Sequence, residues 1–232
     1  MSELTIAARY CGPPTSANGG YFAGCVAALA DRLVTVRLLK PPPLDTLFEV
    51  HAVGKGVLEV RHGAELIAQT RPAALDIPQI QPPEYLRAVE SSRNYVGFAH
   101  HPFPTCFVCG PQRARGDGLR IFPGRLLEGE PVAAPWVADD SLDAGDGKVA
   151  PAFMWAALDC PGWIAAMRDG RVALLGEFTA HVDRRVHIGE RCVVLGWRTG
   201  TEGRKHEAGT ALFDEDYQLC AYARALWIEP RA

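Results

Sequence analysis

Residues 150–167 read APAFMWAALDCPGWIAAM, and this stretch decides how the rest of the chain must fold. Between Lys148 and Arg168 it carries a single charged side chain, Asp159. A helix that is apolar on every side must be enclosed by the rest of the protein rather than laid on its surface. The sequence therefore predicts a central buried helix that holds a largely desolvated carboxylate.

Asp159 has two compatible interpretations. Burial disfavours the charged form of a carboxyl group and raises its pKa unless donors are aimed at it, and either outcome suits general acid or base chemistry. Pro161 and Gly162 should break or kink the helix, because proline lacks an N–H and its ring crowds the preceding turn. Asp159 could instead help to cap a second helical piece that starts near Pro161. Both interpretations are retained.

Composition indicates an ordinary globular protein. The 232 residues are 48% hydrophobic, which is ample for a packed core, and 24 basic against 27 acidic residues give a net charge of -3. This balance favours neither a nucleic acid nor an anionic membrane as partner. Seven cysteines at irregular spacing favour reduced thiols, and residues 1–10 lack the pattern of a secretory signal. We therefore expect a cytoplasmic protein.

The order of a helix followed by strands occurs twice. Asn18 is a good N-cap for a helix that ends near Ala30. Strand patterns follow this first helix at residues 34–40, 47–53, 56–62 and 65–75. A proline-rich stretch at 76–104, with a short helix near 84–89, is typical of a linker.

The second copy of this order contains the buried helix. Strand patterns precede it at residues 119–122 and 132–137 and follow it at 174–182, 190–200, 203–214 and 218–228. Two halves, each with one buried helix followed by an antiparallel sheet, indicate a duplicated unit.

Gly19 and Gly20 lie in the first turn of the predicted N-terminal helix. Glycines there leave backbone N–H groups open to close approach, and such groups could hold an oxyanion or a thioester carbonyl. The alternative is close packing of two helices through glycine. The sequence favours neither interpretation.

A helix wrapped by a meander of antiparallel strands, repeated once, resembles the hotdog fold in its double-hotdog form. Four sequence motifs are similar to those of the acyl-CoA thioesterase II family. They are the helix start at 18–20, the CFVCG and GLRIF segments at 106–110 and 118–122, the helix at 154–166, and the final hairpin at 203–228. The resemblance implies an α+β fold of two hotdog units, each a central helix wrapped by an antiparallel sheet. These units would span residues 1–78 and 105–232, joined by a linker at 79–104.

The resemblance also implies an active site. Asp159 falls on the helix that carries the family's catalytic Asp, and the amides of Gly19 and Gly20 would polarise the substrate carbonyl. The family's Asp usually works with a Thr or Ser on the following strand and a Gln on the last strand. Thr179 can supply the first only if the register is shifted, and Arg224 stands where the Gln would be.

The implied activity is hydrolysis of an acyl-CoA or related thioester at the interface of the two units. Coenzyme A would be part of the substrate, and no separate cofactor is expected. Arginine and lysine side chains bind phosphates well, so Arg184, Arg204 and Lys205 are candidate ligands for coenzyme A. Asn18 and Trp155 are the other candidate substrate-binding residues.

Three alternatives compete with this assignment. Cys106 and Cys109 lie near His100 and His101, but a single Cys-x-x-Cys beside two histidines is a weak zinc signal, so buried thiols and no metal are expected. A hotdog dehydratase is disfavoured because neither helix contains a histidine. A protein that binds an acyl ligand without turnover is the main rival from another class.

Pairing of two copies is also expected, through sheet faces that are not polar enough to stay in water.

Overall fold

One continuous antiparallel sheet organises the protein. The computed structural model describes residues 1–76, 80–126, 131–167 and 171–231, and these form eleven strands in the order β1-β3-β4-β5-β2-β8-β11-β10-β9-β7-β6. The strands are β1 Ser2–Thr5, β2 Val34–Leu38, β3 Leu47–Gly54, β4 Val57–His62, β5 Glu65–Pro72, β6 Gly124–Arg125, β7 Val132–Val137, β8 Leu174–Val182, β9 Arg191–Glu202, β10 Lys205–Phe213 and β11 Leu219–Ile228.

The strand order repeats when it is traced outward from the middle of the sheet. One half has the order β2-β5-β4-β3-β1, and the other has β8-β11-β10-β9-β7 with the two-residue β6 added beyond it. The two halves meet where β2 pairs with β8, at Val36 opposite Phe178 and Arg37 opposite Glu177. The strand order of one half therefore recurs in the other, within a single sheet.

The helices of the two halves pack on each other. Helix α1 spans Gly19–Ala27, and the apolar stretch at 150–167 forms α3 at Pro151–Ala157 and α4 at Asp159–Ala166. Gly24 lets α1 approach α3, since a Cβ there would lie 2.8 Å from Cβ of Trp155. Helix α4 packs on β9 and β10. No helix in the described ranges is long and apolar enough to cross a membrane.

The break in the buried helix lies at Leu158, three residues before the proline that predicted it. Leu158 ends α3 and precedes α4, so Pro161 falls in the first turn of α4. The N–H groups of a first helical turn have no partner within the helix, and a proline there loses no hydrogen bond. Pro161 therefore starts a helix instead of kinking one.

A short helix covers the outer face of the second half. Helix α2, at Tyr85–Ser92, confirms the helix predicted near 84–89, and it packs on β7. Together with Ile80 it covers a second apolar cluster of Ala88, Ala133, Val193, Leu195, Trp197, Ala211 and Phe213. Residue 79, where the predicted linker begins, and residue 78, where the predicted first unit ends, lie outside the described residues.

One predicted strand is wrong. Residues 119–122 do not join the sheet, because the Leu119 and Ile121 amides donate to the carbonyls of Phe107 and Val108 and Arg120 adopts a positive φ of 54°. Near the N-terminus, β1 ends at Thr5 and residues 8–10 form a 3-10 turn.

Candidate active site

Asp159 is buried where the starts of α1 and α4 meet. Its side chain is held by the other half of the molecule: Oδ2 accepts hydrogen bonds from Asn18 Nδ2 at 2.7 Å and from the Gly20 amide at 3.0 Å. Neither donor belongs to α4, so the interpretation of Asp159 as a cap of that helix is wrong. The predicted desolvated carboxyl group, with donors aimed at it, is present, and Asp159 is 2% exposed.

The second oxygen of Asp159 is different. Oδ1 is buried and has no hydrogen-bond partner in the described part of the chain. The pKa of Asp159 is raised to about 7, chiefly by burial; the Gly20 amide lowers it, the charge of Cys106 raises it, and the Asn18 side chain lowers it. A carboxyl group with such a pKa can take up or release a proton near neutral pH.

Asn18 connects the helix start to the carboxylate. Its Oδ1 accepts the Tyr21 amide at 2.9 Å, which confirms the predicted N-cap of α1. Because Asn18 Oδ1 is turned toward the Tyr21 amide, Asn18 Nδ2 points away from the helix start. There Nδ2 donates a hydrogen bond to Asp159. The cap thereby orients the donor.

The two glycines of the helix start have separate roles. The Gly20 amide is not open as predicted, because it donates to Asp159 Oδ2. A Cβ on Gly20 would lie 2.5 Å from Cβ of Asp159, so close helix packing through glycine is also present. The Gly19 amide has no hydrogen bond among the described residues, and it remains the candidate donor to a carbonyl oxygen.

A cavity of about 270 Å³ adjoins this constellation. The first half contributes Asn18 and Gly19 to its wall, and the second half contributes Asp159, Trp163 and Leu175. Such a mixture of mostly apolar walls and a few polar groups is typical of a small-molecule site.

Two cationic side chains line the exposed part of this cavity. Arg204, predicted as a phosphate ligand, lines it and donates to the Glu229 carbonyl at 2.6 Å. Lys40 also lines it and pairs with Glu65. Lys40 was missed from the sequence, although its place just before three prolines marks it as the last residue of a strand pattern.

The other predicted phosphate ligands lie elsewhere. Lys205 is exposed at the start of β10 and is not part of the cavity wall, and Arg184 forms an ion pair with the buried Asp214. The structure therefore brings only Arg204, of these three, to the cavity.

The structure does not bring Thr179 and Arg224 to Asp159. They lie opposite each other on β8 and β11. Phe178, the neighbour of Thr179, packs against Trp155 on the helix side of the sheet, and successive side chains of a strand point to opposite faces. Thr179 therefore points away from the helices, where its Oγ1 lies 2.8 Å from Thr35 Oγ1, and Arg224 pairs with Glu207.

Trp155, predicted to bind substrate, is packed inside the core. Its ring makes an edge contact with Phe178 at 5.6 Å between centroids, and it lies against Gly24 of α1. It is not part of the cavity wall. Its contacts instead join α1, α3 and β8.

A group of three cysteines also borders the cavity. Cys106 and Cys109 come from the CFVCG segment, and Cys160 is the residue after Asp159. Cys160 was missed from the sequence because no local spacing relates it to a segment about fifty residues earlier. All seven cysteines of the chain are free thiols.

Comparison with known proteins identifies the fold. No family model matches the sequence, and no curated protein does. A protein of Novosphingobium aromaticivorans assigned as a thioesterase superposes with a TM-score of 0.60 at 14% identity, over 99% of this chain and 95% of that one. A protein of Thermobifida fusca assigned as a thioesterase II gives 0.59 at 16%, over 99% and 92%. The tesB protein of Mycobacterium avium subs paratuberculosis gives 0.56 at 11%, over 91% and 84%.

At these low sequence identities, the structural similarity establishes the fold and nothing more. The chain is similar in structure to thioesterase II and tesB proteins over most of its length, which confirms the predicted resemblance. A large antiparallel sheet with few helices fits a hotdog fold.

Proposed function

We propose that this protein hydrolyses an acyl thioester, such as an acyl-CoA, in the cavity beside Asp159. The site would lie between two hotdog units, residues 1–78 and 105–232, joined by the linker at 79–104. One observation carries the proposal: Asp159 is fixed through Oδ2 by two donors, while its buried Oδ1 has no partner in the described part of the chain. An oxygen held in this way keeps its lone pairs free to accept a proton.

The reaction follows from this arrangement. Asp159 Oδ1 accepts a proton from a water molecule whose oxygen attacks the thioester carbonyl carbon. The Gly19 amide donates to the carbonyl oxygen as negative charge develops there. The carbon–sulfur bond then breaks, the thiolate takes the proton from Asp159, and the acid and the thiol leave. Direct attack by Oδ1 would instead break the carbon–sulfur bond, expel the thiolate and give an anhydride; water would cleave the anhydride to the free acid and the Asp159 carboxylate, and the proton released would go to the thiolate.

The size and charge of the cavity support a thioester of a large carrier. A volume of about 270 Å³ is slightly below the usual range for sites of drug-sized ligands, so the cavity suits the acyl and thioester part and not a whole coenzyme A molecule. Lys40 and Arg204 are exposed in its wall, and cationic side chains there would bind phosphates outside it.

The test replaces Asp159 with Asn, which keeps the shape and removes the proton acceptor. We expect Asp159→Asn to lower kcat on acyl-CoAs of graded chain length by at least about 100-fold, the usual effect of removing a general base. Asp183→Asn is the matched control, because Asp183 is exposed and pairs only with His181 among the described residues. Unchanged turnover in a folded Asp159→Asn protein would refute the proposal.

Binding without turnover is the second candidate, and the position of Thr179 favours it. Asp159 has hydrogen bonds only to Asn18 and Gly20 in the described part of the chain, so no strand side chain helps it to orient water. An increase in Tm with acyl-CoA, together with no release of free thiol, would select this function.

A further inference from the structure

Three thiols meet at one point beside the cavity. The Sγ atoms of Cys106, Cys109 and Cys160 all lie within 4.8 Å of one another, and all three residues are buried. Cys106 and Cys160, which are far apart in sequence, have their sulfurs 3.8 Å apart. The proposed hydrolysis uses none of these thiols.

The spacing of the sulfurs fits a shared metal ion. A tetrahedral zinc ion has zinc–sulfur bonds of about 2.3 Å, which places neighbouring sulfurs about 3.8 Å apart. The separation of Cys106 and Cys160 has this value. A disulfide would join two of the three sulfurs and leave the third without a partner, whereas one ion can hold all three.

The backbone of the CFVCG segment is held in a tight turn. The Gly110 amide donates to the Cys106 carbonyl at 2.9 Å, and a Cβ on Gly110 would lie 2.5 Å from the nitrogen and oxygen of Cys106. Only glycine fits this close approach. Cys106 and Cys109 are separated by two residues, the spacing found in many zinc sites.

His101 supports the sulfurs without being one of the ligands. Its Nδ1 accepts the Phe103 amide at 2.9 Å, so the ring proton of the neutral form resides on Nε2. This nitrogen lies 3.3 Å from Cys109 Sγ, where it donates to the sulfur. Donors of this kind stabilise thiolate ligands and orient them. Asn18 Nδ2 is placed similarly, 4.0 Å from Cys106 Sγ.

We propose that Cys106, Cys109 and Cys160 bind one divalent metal ion of the zinc class through three thiolates. Soft thiolates select zinc and copper(I) among cellular metals, and a divalent ion leaves the smaller residual charge in a buried site. All three cysteines contribute to the cavity wall, so a fourth ligand would reach the ion from the cavity. The expectation of no metal, which rested on a single Cys-x-x-Cys, did not include Cys160.

The test measures metal directly and needs no enzymatic assay. The reduced full-length protein is stripped with a chelator, loaded with Zn²⁺ or Co²⁺, and freed of excess metal. We expect one metal ion per chain by elemental mass spectrometry and a thiolate-to-cobalt charge-transfer absorption. We also expect Zn²⁺ to raise Tm.

Variants assign the ligands. Cys160→Ser and Cys109→Ser should lose the stoichiometric metal, the cobalt absorption and the Zn²⁺-dependent shift in Tm, whereas Cys192→Ser should keep all three, since Cys192 is buried on β9 away from the cluster. His101→Ala should still bind one ion, with affinity weakened about 10- to 100-fold.

Three results would overturn the proposal. They are a reduced wild-type protein that binds no metal, equal metal loss in Cys192→Ser, and complete loss in a folded His101→Ala protein. Since neither metal content nor Tm depends on turnover, failure here leaves the proposed hydrolysis standing, and the reverse also holds.

Discussion

The two halves of the molecule share a strand order but differ in the helix that each sheet half carries. In the first half, α1 is one continuous helix of nine residues whose start directs the Gly20 amide and the side chain of its cap, Asn18, at Asp159. In the second half, the helix is broken at Leu158 into α3 and α4, and the break presents Asp159. The comparison teaches that one topology can supply hydrogen-bond donors from one copy and the acid from the other.

The halves also differ on the outer face of the sheet. Helix α2 and its neighbours bury the outer apolar side chains of β7, β9 and β10. The first half has no helix in this position within the described residues, and Leu47 and Val53 of β3 are exposed there. The second half is thus covered on both faces, and the first half on one.

Disrupting the packing of α2 on the outer face of the second half should have the largest effect on stability. A Cβ on Gly124 would lie 1.7 Å from the carbonyl oxygen of Ser91 in α2, a clash with backbone that no rotamer change relieves. We expect Gly124→Ala to cost about 3 kcal/mol or more of unfolding free energy, the upper end for overpacking. Gly200→Ala is the control, since its nearest neighbour would be 3.8 Å away. Urea denaturation measures both, and equal midpoints would contradict the contact.

Disrupting the contact between the starts of α1 and α4 should have the next largest effect on stability. In Gly20→Ala the new Cβ would lie 2.5 Å from Cβ of Asp159 and 3.0 Å from the Trp155 carbonyl. We expect a loss of about 1–3 kcal/mol from overpacking, together with reduced turnover, because Asp159 must move. Gly54→Ala, whose Cβ would make only ordinary contacts at 3.6 Å, should change neither quantity. A Gly20→Ala protein with normal Tm and kcat would show that this junction tolerates displacement.

Changes where β2 of one half meets β8 of the other should have the smallest effect on stability. This place sharpens the comparison, since here each half contributes the same group, a threonine hydroxyl. Thr35 and Thr179 share one hydroxyl–hydroxyl hydrogen bond in a buried place. Each single Thr→Val change leaves an unpaired hydroxyl and should cost about 1–2 kcal/mol, whereas the double variant should recover about 1 kcal/mol. A double-mutant cycle measures this coupling, and strict additivity would exclude it.

Local sequence patterns predicted much of the fold but few of the contacts between residues that are distant in sequence. The cap by Asn18, the buried helix and most strands follow from periodicity and capping chemistry over a few residues. Asp159, Asn18 and Gly20 were each singled out, yet their shared hydrogen bonds span about 140 positions and depend on tertiary packing.

The errors also have physical causes. The face on which Thr179 lies depends on a single residue of strand register, because a shift by one reverses every side chain. Residues 119–122 look like a strand, but their amides are taken by Phe107 and Val108. The proximity of Cys160 to the CFVCG segment follows only from the position of α4 in the fold.

The sequence of α1, GGYFAGCVA, contains no acidic residue. A symmetric assembly of two identical chains would carry each constellation twice, related by the axis between its copies. Here α1 holds no counterpart of Asp159, so the proposed chemistry would take place once for every chain. Calorimetric titration with a non-hydrolysable thioester analogue should then saturate at one equivalent per polypeptide instead of two.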